Sequence, residues 1–304
     1  MKRQKYSSLT QIGTGANTVL HIIFLIWTAI CVLPFLLLVS VSLSSSSSIT
    51  LHGYRFIPHE FSLGAYDFML NRTSSLLRAY GISVFTTVVG TVLNVIITLL
   101  FAYPLSRKDF KYRNILSFII FFSMIFQGGL VANYMIKVQL LNLKNTIWVY
   151  IVGALFSSWN CMLMRTFLTT SIPDALVEAA KIDGAGEYRA FFSIIVPLSL
   201  PGIATIALLC GIGIWNDWFT GMMYITDASL NNLQYMMYQI LDNIEYLKSH
   251  LDVLGSEAAA ALRDMPTEAA RMAMCILSVG PIIIIYPFVQ KYFVKGMVIG
   301  AVKG

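Results

Sequence analysis

The apolar residues of this 304-residue chain are gathered into long blocks that carry no Asp, Glu, Lys or Arg. An ionised group at the centre of a bilayer costs roughly 2.5 to 3.5 kcal/mol on insertion scales, so charge-free stretches serve as a ruler for membrane spans. The pattern predicts six helices, over about 19–43, 79–106, 114–136, 145–165, 196–224 and 271–291. A helix needs roughly 20 residues to cross about 30 Å of hydrocarbon at about 1.5 Å per residue, and each stretch reaches that length. The expected fold is an all-α membrane protein with six transmembrane helices. Residues 1–18 are expected to form a cytoplasmic N-terminal segment and 19–304 one transmembrane domain.

Composition sharpens this picture. Hydrophobic residues make up 57% of the chain and charged residues 12%, about half the roughly 25% of an ordinary soluble domain. A soluble globule is excluded. Basic loops stay on the cytoplasmic side. With the N-terminus inside, the inner segments hold thirteen basic and five acidic residues and the outer ones eight and nine, with Asp217 left within a span. Both termini are therefore expected in the cytoplasm. The net charge of +6 reflects this topology and does not call for a nucleic-acid partner. The basic start Met1-Lys2-Arg3-Gln4-Lys5 also suits a secretory signal, but the apolar run after it is longer than such a signal needs, so a retained first span is expected.

Candidate chemistry in the loops is sparse. Cys31, Cys161, Cys210 and Cys275 all fall in predicted spans, as small packing residues. His52 and His59 lie in an outer polar loop that opens with five serines, without partners at metal-ligand spacing. Asn71-Arg72-Thr73 matches a short glycosylation pattern without further support. Between about 226 and 271, Leu233, Met236, Met237, Ile240, Leu241, Ile244 and Leu247 recur at intervals of three and four, the stripe of an amphipathic helix. Two readings stand for it, a helix resting on the outer faces of the spans or a docking surface for an extracytoplasmic partner.

The inner loop at 169–195 carries more information. Ser171 with Asp174 suggests a capping box, Pro173 suits a first helical turn, and Gly184 suits a left-handed stop. A short coupling helix between spans 4 and 5 is the expectation. Ala179 and Ala180 would keep one face thin enough for a neighbouring protein to approach, with Glu178 and Lys181 giving that face polar definition.

Glu178-Ala179-Ala180, Gly184, Ile194 and Pro197 stand at the spacing of the hallmark of membrane-spanning permease subunits of binding-protein-dependent ABC importers. The chain resembles that family, with Val196 where the family pattern has Leu. Glu257-Ala258-Ala259 and Glu268-Ala269-Ala270 repeat the three letters but put Arg263 or Met274 at the glycine position and fall outside by the charge count. Trp215-Asn216-Asp217-Trp218 and the ending from Tyr286 to Gly304 resemble the carbohydrate-importing branch, related to the smaller permease of the maltose transporter.

This resemblance implies several things. The chain would be a bacterial cell-membrane permease that forms half of a path for a sugar or oligosaccharide, neutral by default. It would pair with a second, related permease, two copies of a cytoplasmic ATPase and an extracytoplasmic solute-binding protein. Glu178, Ala179, Ala180, Asp183 and Gly184 would couple to the ATPase. No Gly-x-x-x-x-Gly-Lys-Ser/Thr phosphate loop occurs in the sequence, so the chain is expected to be no enzyme itself and to need no cofactor. Trp215, Asn216, Asp217 and Trp218 could line the sugar path, or Asp217 could make a structural hydrogen bond. An importer permease for another solute, or a secondary transporter, is the alternative; one acid in six spans supports proton coupling poorly.

Overall fold

The computed structural model describes residues 14–70, 73–250 and 267–301. Among these residues the regular structure is helical, apart from an isolated antiparallel bridge between Ser44 and Phe61. Three helical stretches, Gly15–Ser42, Ser74–Ser106 and Glu268–Pro287, are long and apolar enough to cross a membrane unaided. Three bent helix pairs bring the number of candidate spans to six if each pair counts as one.

The chain divides into two compact units. One comprises 1–71 with 247–277. Its longest helix, α1 (Thr14–Ser42), exposes Phe24, Leu25 and Trp27. The serine run does not stay a polar loop as expected. Ser45 accepts a hydrogen bond from the Ser48 amide (3.2 Å) and caps α2 (Ser46–His52), because a serine hydroxyl satisfies an amide that the first helical turn leaves free. The short α3 (Gly64–Leu70) follows. Val41, Ile49, Ala65, Ala269 and Ala273 form this unit's core. The rings of His52 and His59 stack at 4.5 Å, and no group of metal-ligating side chains occurs among the described residues.

The second unit comprises 72–246 with 278–304. Its central post is α4 (Thr73–Ser106), against which α5 (Arg113–Ile125), α7 (Trp148–Ala154), α8 (Ser158–Ser171) and α12 (Leu200–Trp215) all pack. Close approach is built in at Gly90, where a Cβ would lie 2.8 Å from the Ile214 side chain.

The breaks in the three bent pairs have local causes. The run at 114–136 is not one helix. It turns by 111° between α5 and α6 (Gly129–Met135), at Gln127-Gly128-Gly129, and Gly129 takes the left-handed φ of +78° that favours glycine. A π-helical turn over Ile136–Leu140 carries the chain on. The fourth stretch bends by 44° between α7 and α8. There the Asn94 side-chain amide donates to the Ala154 carbonyl (2.7 Å), and Ser157 caps α8 through the Asn160 amide (3.3 Å). Buried backbone freed by a break must find such a partner.

The stretch expected over 196–224 is also interrupted. A turn of α10 (Glu187–Ala190) passes through a π-helical segment, Phe191–Ile195, into α11 (Val196–Leu198), then bends by 74° into α12. Pro197 and Pro201 cannot donate to the helical ladder, and at the bend the Ile195 carbonyl accepts both the Ser199 amide (2.9 Å) and the Ser199 hydroxyl (2.6 Å). After Trp215 the helix stops, and α13 (Phe219–Tyr224) starts afresh. The amphipathic stripe forms α14 (Leu233–Ser249), and the last helix is α15 (Thr267–Ala301).

Candidate coupling helix and transport path

The segment singled out between the fourth and fifth stretches folds as α9 (Asp174–Ile182). Its start differs from expectation. Ser171 belongs to the end of α8, and Pro173 is the cap residue with no side-chain hydrogen bond, so no capping box forms. Its stop is as expected. Gly184 has φ +79°, its amide donates to the Lys181 carbonyl (3.0 Å), and the Ala185 amide donates to the Ala180 carbonyl (2.9 Å). This pair of bonds is the Schellman arrangement, which satisfies the carbonyls a helix end leaves open.

The two faces of α9 are sharply divided. Val177 (1% exposed) and Ala180 (7%) turn inward, and Val177 joins a core with Leu105, Met164, Leu168, Phe191 and Ile206. Leu176, Glu178, Ala179 and Asp183 face outward, with Ile182 85% exposed. The expectation of a thin face made by both alanines is therefore corrected. A step of about 100° per residue puts Ala179 on the open side and Ala180 against the protein's own core.

Charged side chains pin both ends of α9. Asp174 meets Arg107 (3.4 Å) and Lys108 (3.0 Å), while Lys181 meets Glu187 (2.6 Å) and Asp109 (3.3 Å). Arg107 also meets Asp109 (3.4 Å), and the Tyr103 hydroxyl donates to Glu187 (3.1 Å). Hydrogen bonds to Glu187 and then Asp109 hold the Lys181 ammonium above the usual lysine range. Exposed ion pairs contribute only about 0 to 1 kcal/mol each, so the network acts mainly by setting position. It ties α9 to the loop at 107–112, at the end of α4.

The four residues of the suggested sugar path do not converge. Trp215 is buried, and its indole N–H donates to the Ser278 carbonyl (2.9 Å). Asn216 is exposed at the end of α12. Asp217 Oδ1 accepts the Thr220 amide (2.9 Å) at the start of α13, the structural hydrogen bond weighed above. Trp218 stacks on Tyr238 of α14 at 4.5 Å. On α14, Leu233, Met237, Ile240 and Ile244 are covered, so the stripe packs against the protein itself.

The Glu268 copy of the three-letter motif behaves differently from the Glu178 copy. Ala269 and Ala270 are both buried (1% each), and Glu268 accepts a hydrogen bond from Tyr54 (3.0 Å). The Glu257 copy lies outside the described residues.

Comparison with known proteins decides the family. Residues 87–299 match the family described as binding-protein-dependent transport system inner membrane component. The chain belongs to this family. It is 36% identical over 276 residues to Protein LplC of Bacillus subtilis, covering 91% of this chain and 90% of that one. It is 33% identical over 280 residues to the polygalacturonan/rhamnogalacturonan transport system permease protein YtcP of the same organism, covering 92% and 95%. A crystal structure of a bacterial ABC transporter involved in the import of the acidic polysaccharide alginate contains a chain that superimposes with a TM-score of 0.76. That chain is 29% identical, and the match covers 96% of this chain and all of that one.

In this transport-system component the motif was legible from sequence, but the residues that hold α9 in place were not. Arg107, Lys108 and Asp109 read only as topology charges, and nothing in their spacing points to a helix some 70 residues on. The buried polar set in the spans, Asn94, Thr98 and Asn160, was likewise missed. Its one visible signal is uncharged polar side chains within apolar stretches.

Proposed function

We propose that this chain is the permease subunit of an ATP-driven importer, forming half of a path for a carbohydrate and taking its drive from a separate cytoplasmic ATPase. The observation that carries the reading is α9, whose outward face offers Leu176, Ala179 and Ile182 while its inward Val177 sits in the core shared by α4, α8 and α12. A neighbour that grips the outer face moves the inner one with it. Closure and reopening of the ATPase then shift the spans between two states by differential binding.

In this proposal Glu178, Ala179, Asp183 and Gly184 belong to the coupling surface, and Ala180 supports it from behind. The assembly holds six spans in this chain with both termini in the cytoplasm, a second related permease, two ATPase copies and an extracytoplasmic binding protein. Relatives named for the transport of polygalacturonan/rhamnogalacturonan, of arabinooligosaccharides and of melibiose/raffinose/stachyose support a carbohydrate as cargo. Of the four suggested path residues, Asn216 and Trp218 are exposed, Asp217 is half-buried and Trp215 is buried. Co-expression with the genomic neighbours, followed by purification, tests the reading: an ATPase that copurifies and hydrolyses ATP in response to sugar-loaded binding protein supports it, and assembly without any ATPase overturns it.

A further inference from the structure

Lys137 lines a cavity together with Asp217, and the Glu-Ala-Ala motif does not account for it. The uncharged run ends at Ile136, which places Lys137 in an outer loop by sequence. The structure instead continues helically to Leu140, through the π turn, and leaves Lys137 half-buried. A π turn inserts an extra residue and re-aims the side chains that follow, a device frequent at functional sites.

The ammonium reaches back into the bundle. A Cβ on Gly153 would lie 3.1 Å from Nζ, so the absence of a side chain there leaves it room. Nζ stands 4.9 Å from the Tyr224 ring centre. Among the described residues it makes neither an ion pair nor a hydrogen bond.

Two cavities meet at this residue. The smaller, about 230 Å³, is lined by Lys137, Tyr150 and Asp217. Asp217 is already committed through Oδ1 to the Thr220 amide and stands behind the ammonium as a counter-charge. The larger, about 590 Å³, opens at the 111° break and is lined by Phe126, Gln127, Asn133, Lys137, Phe219 and Tyr224. Lys137 is the only charged residue on its wall.

We infer that the larger cavity binds an acidic sugar, with Lys137 as the specificity-determining residue that receives its carboxylate. This rests on the proposal that the cargo is a carbohydrate. Cationic, amide and aromatic groups occur together there, and each has a counterpart on a uronate: carboxylate, hydroxyls and the apolar ring face. A desolvated ammonium gains a charge-assisted hydrogen bond from a carboxylate, about twice as strong as one from a neutral hydroxyl. Broken spans are where transporters of several folds build such sites, because the cavity admits groups that hydrocarbon would reject.

The test uses the assembled complex with its partner permease and ATPase in nanodiscs, without binding protein, so that selectivity belongs to the membrane subunits. Equilibrium binding is measured for trigalacturonate and for the same trisaccharide fully methyl-esterified, which removes charge and keeps shape. The native complex is expected to prefer the acid by about tenfold or more. Lys137→Gln and Lys137→Met should remove the preference, and Lys137→Arg should keep it. Equal affinity for acid and ester in the native complex, a preference that survives both neutral variants, or saturable binding of neither sugar overturns the inference. ATPase content and hydrolysis are read on the same native sample: a complex without ATPase overturns the coupling proposal, whereas an active complex blind to the carboxylate overturns this inference alone.

Discussion

Lys181 Nζ lies 2.6 Å from Glu187 Oε1, a contact that closes the Gly184 turn and holds the end of α9 against the start of the next helical segment. The same ammonium reaches Asp109 at 3.3 Å, so one side chain joins the end of α9, the start of α10 and the distant loop at 107–112. Replacing it tests whether position, and not stability, is what the network supplies. Lys181→Glu should reduce ATP-driven uptake several-fold while membrane insertion and thermal stability stay near native, because surface substitutions of this kind shift stability by only about 0.5 kcal/mol. A double variant carrying Glu187→Lys as well restores the opposite-charge pair of the shortest contact, leaves the Arg107–Asp109 pair in place, and should recover part of the uptake. Uptake that stays native in Lys181→Glu would sink the positioning role.

Gly184 has φ +79° with open space around it, so its constraint is conformational and not steric. A β-branched side chain in the left-handed region costs roughly 1 to 2 kcal/mol. Gly184→Val is therefore expected to loosen the Schellman turn and uncouple hydrolysis from uptake without blocking insertion, whereas Gly184→Asn, which tolerates that region, should be milder. The ratio of ATP hydrolysed to substrate accumulated in proteoliposomes is the measurement, and equal ratios for all three proteins would contradict the prediction.

Ile182 and Val177 sit on opposite faces of one short helix, 85% and 1% exposed. Ile182→Asp should leave the fold intact and weaken retention of the ATPase in pull-down. Val177→Asp should instead lower the melting temperature and yield, since it buries a carboxylate without a partner. If Ile182→Asp retains as much ATPase as native protein, the outer face of α9 is not the docking surface.

Asn94 satisfies the Ala154 carbonyl at the bend between α7 and α8. Asn94→Leu removes that donor inside the bundle and should destabilise by about 1 to 3 kcal/mol, the cost of an orphaned buried polar group. Thermal unfolding in detergent reads the loss. A melting temperature equal to native would mean that water or a neighbouring group replaces the amide.

Orientation is open to direct chemistry. In a cysteine-free background, which requires replacing the exposed Cys31 and Cys275 as well as buried Cys161 and Cys210, a cysteine at Ser229 should react with an impermeant maleimide on intact spheroplasts. One at Lys108 should react only after permeabilisation. The reverse pattern would invert the proposed topology.

What the sequence made legible follows from the range of the interactions involved. Bilayer-length apolar blocks and the glycine stop at Gly184 depend on local composition, and both are readable without a fold. The break at Gln127-Gly128-Gly129 is local too, but a ruler that counts only charges passes over it. The interruption after Trp215 and the inward turn of Lys137 depend on neighbours such as Thr220 and Gly153, which a pattern of apolar and charged positions does not show. The split of Ala179 from Ala180 needed only helical geometry, but which side faces the core is set by α4, α8 and α12. The Arg107–Asp174 contact spans 67 residues, and no spacing rule announces a pair so distant.

The 111° turn in the third apolar stretch also bears on when the chain can be left alone in lipid. Each of its helical halves is shorter than the thickness of hydrocarbon; the Phe126 amide is the last to join the first ladder, through the Phe122 carbonyl (2.9 Å), and the main chain at 127–128 links the two halves. Acyl chains offer no donors or acceptors to such a segment. Water in the adjoining cavity or a neighbouring polypeptide has to supply them. Synthesis without its partners should therefore expose this stretch to quality-control proteases at the point where the stretch folds back on itself.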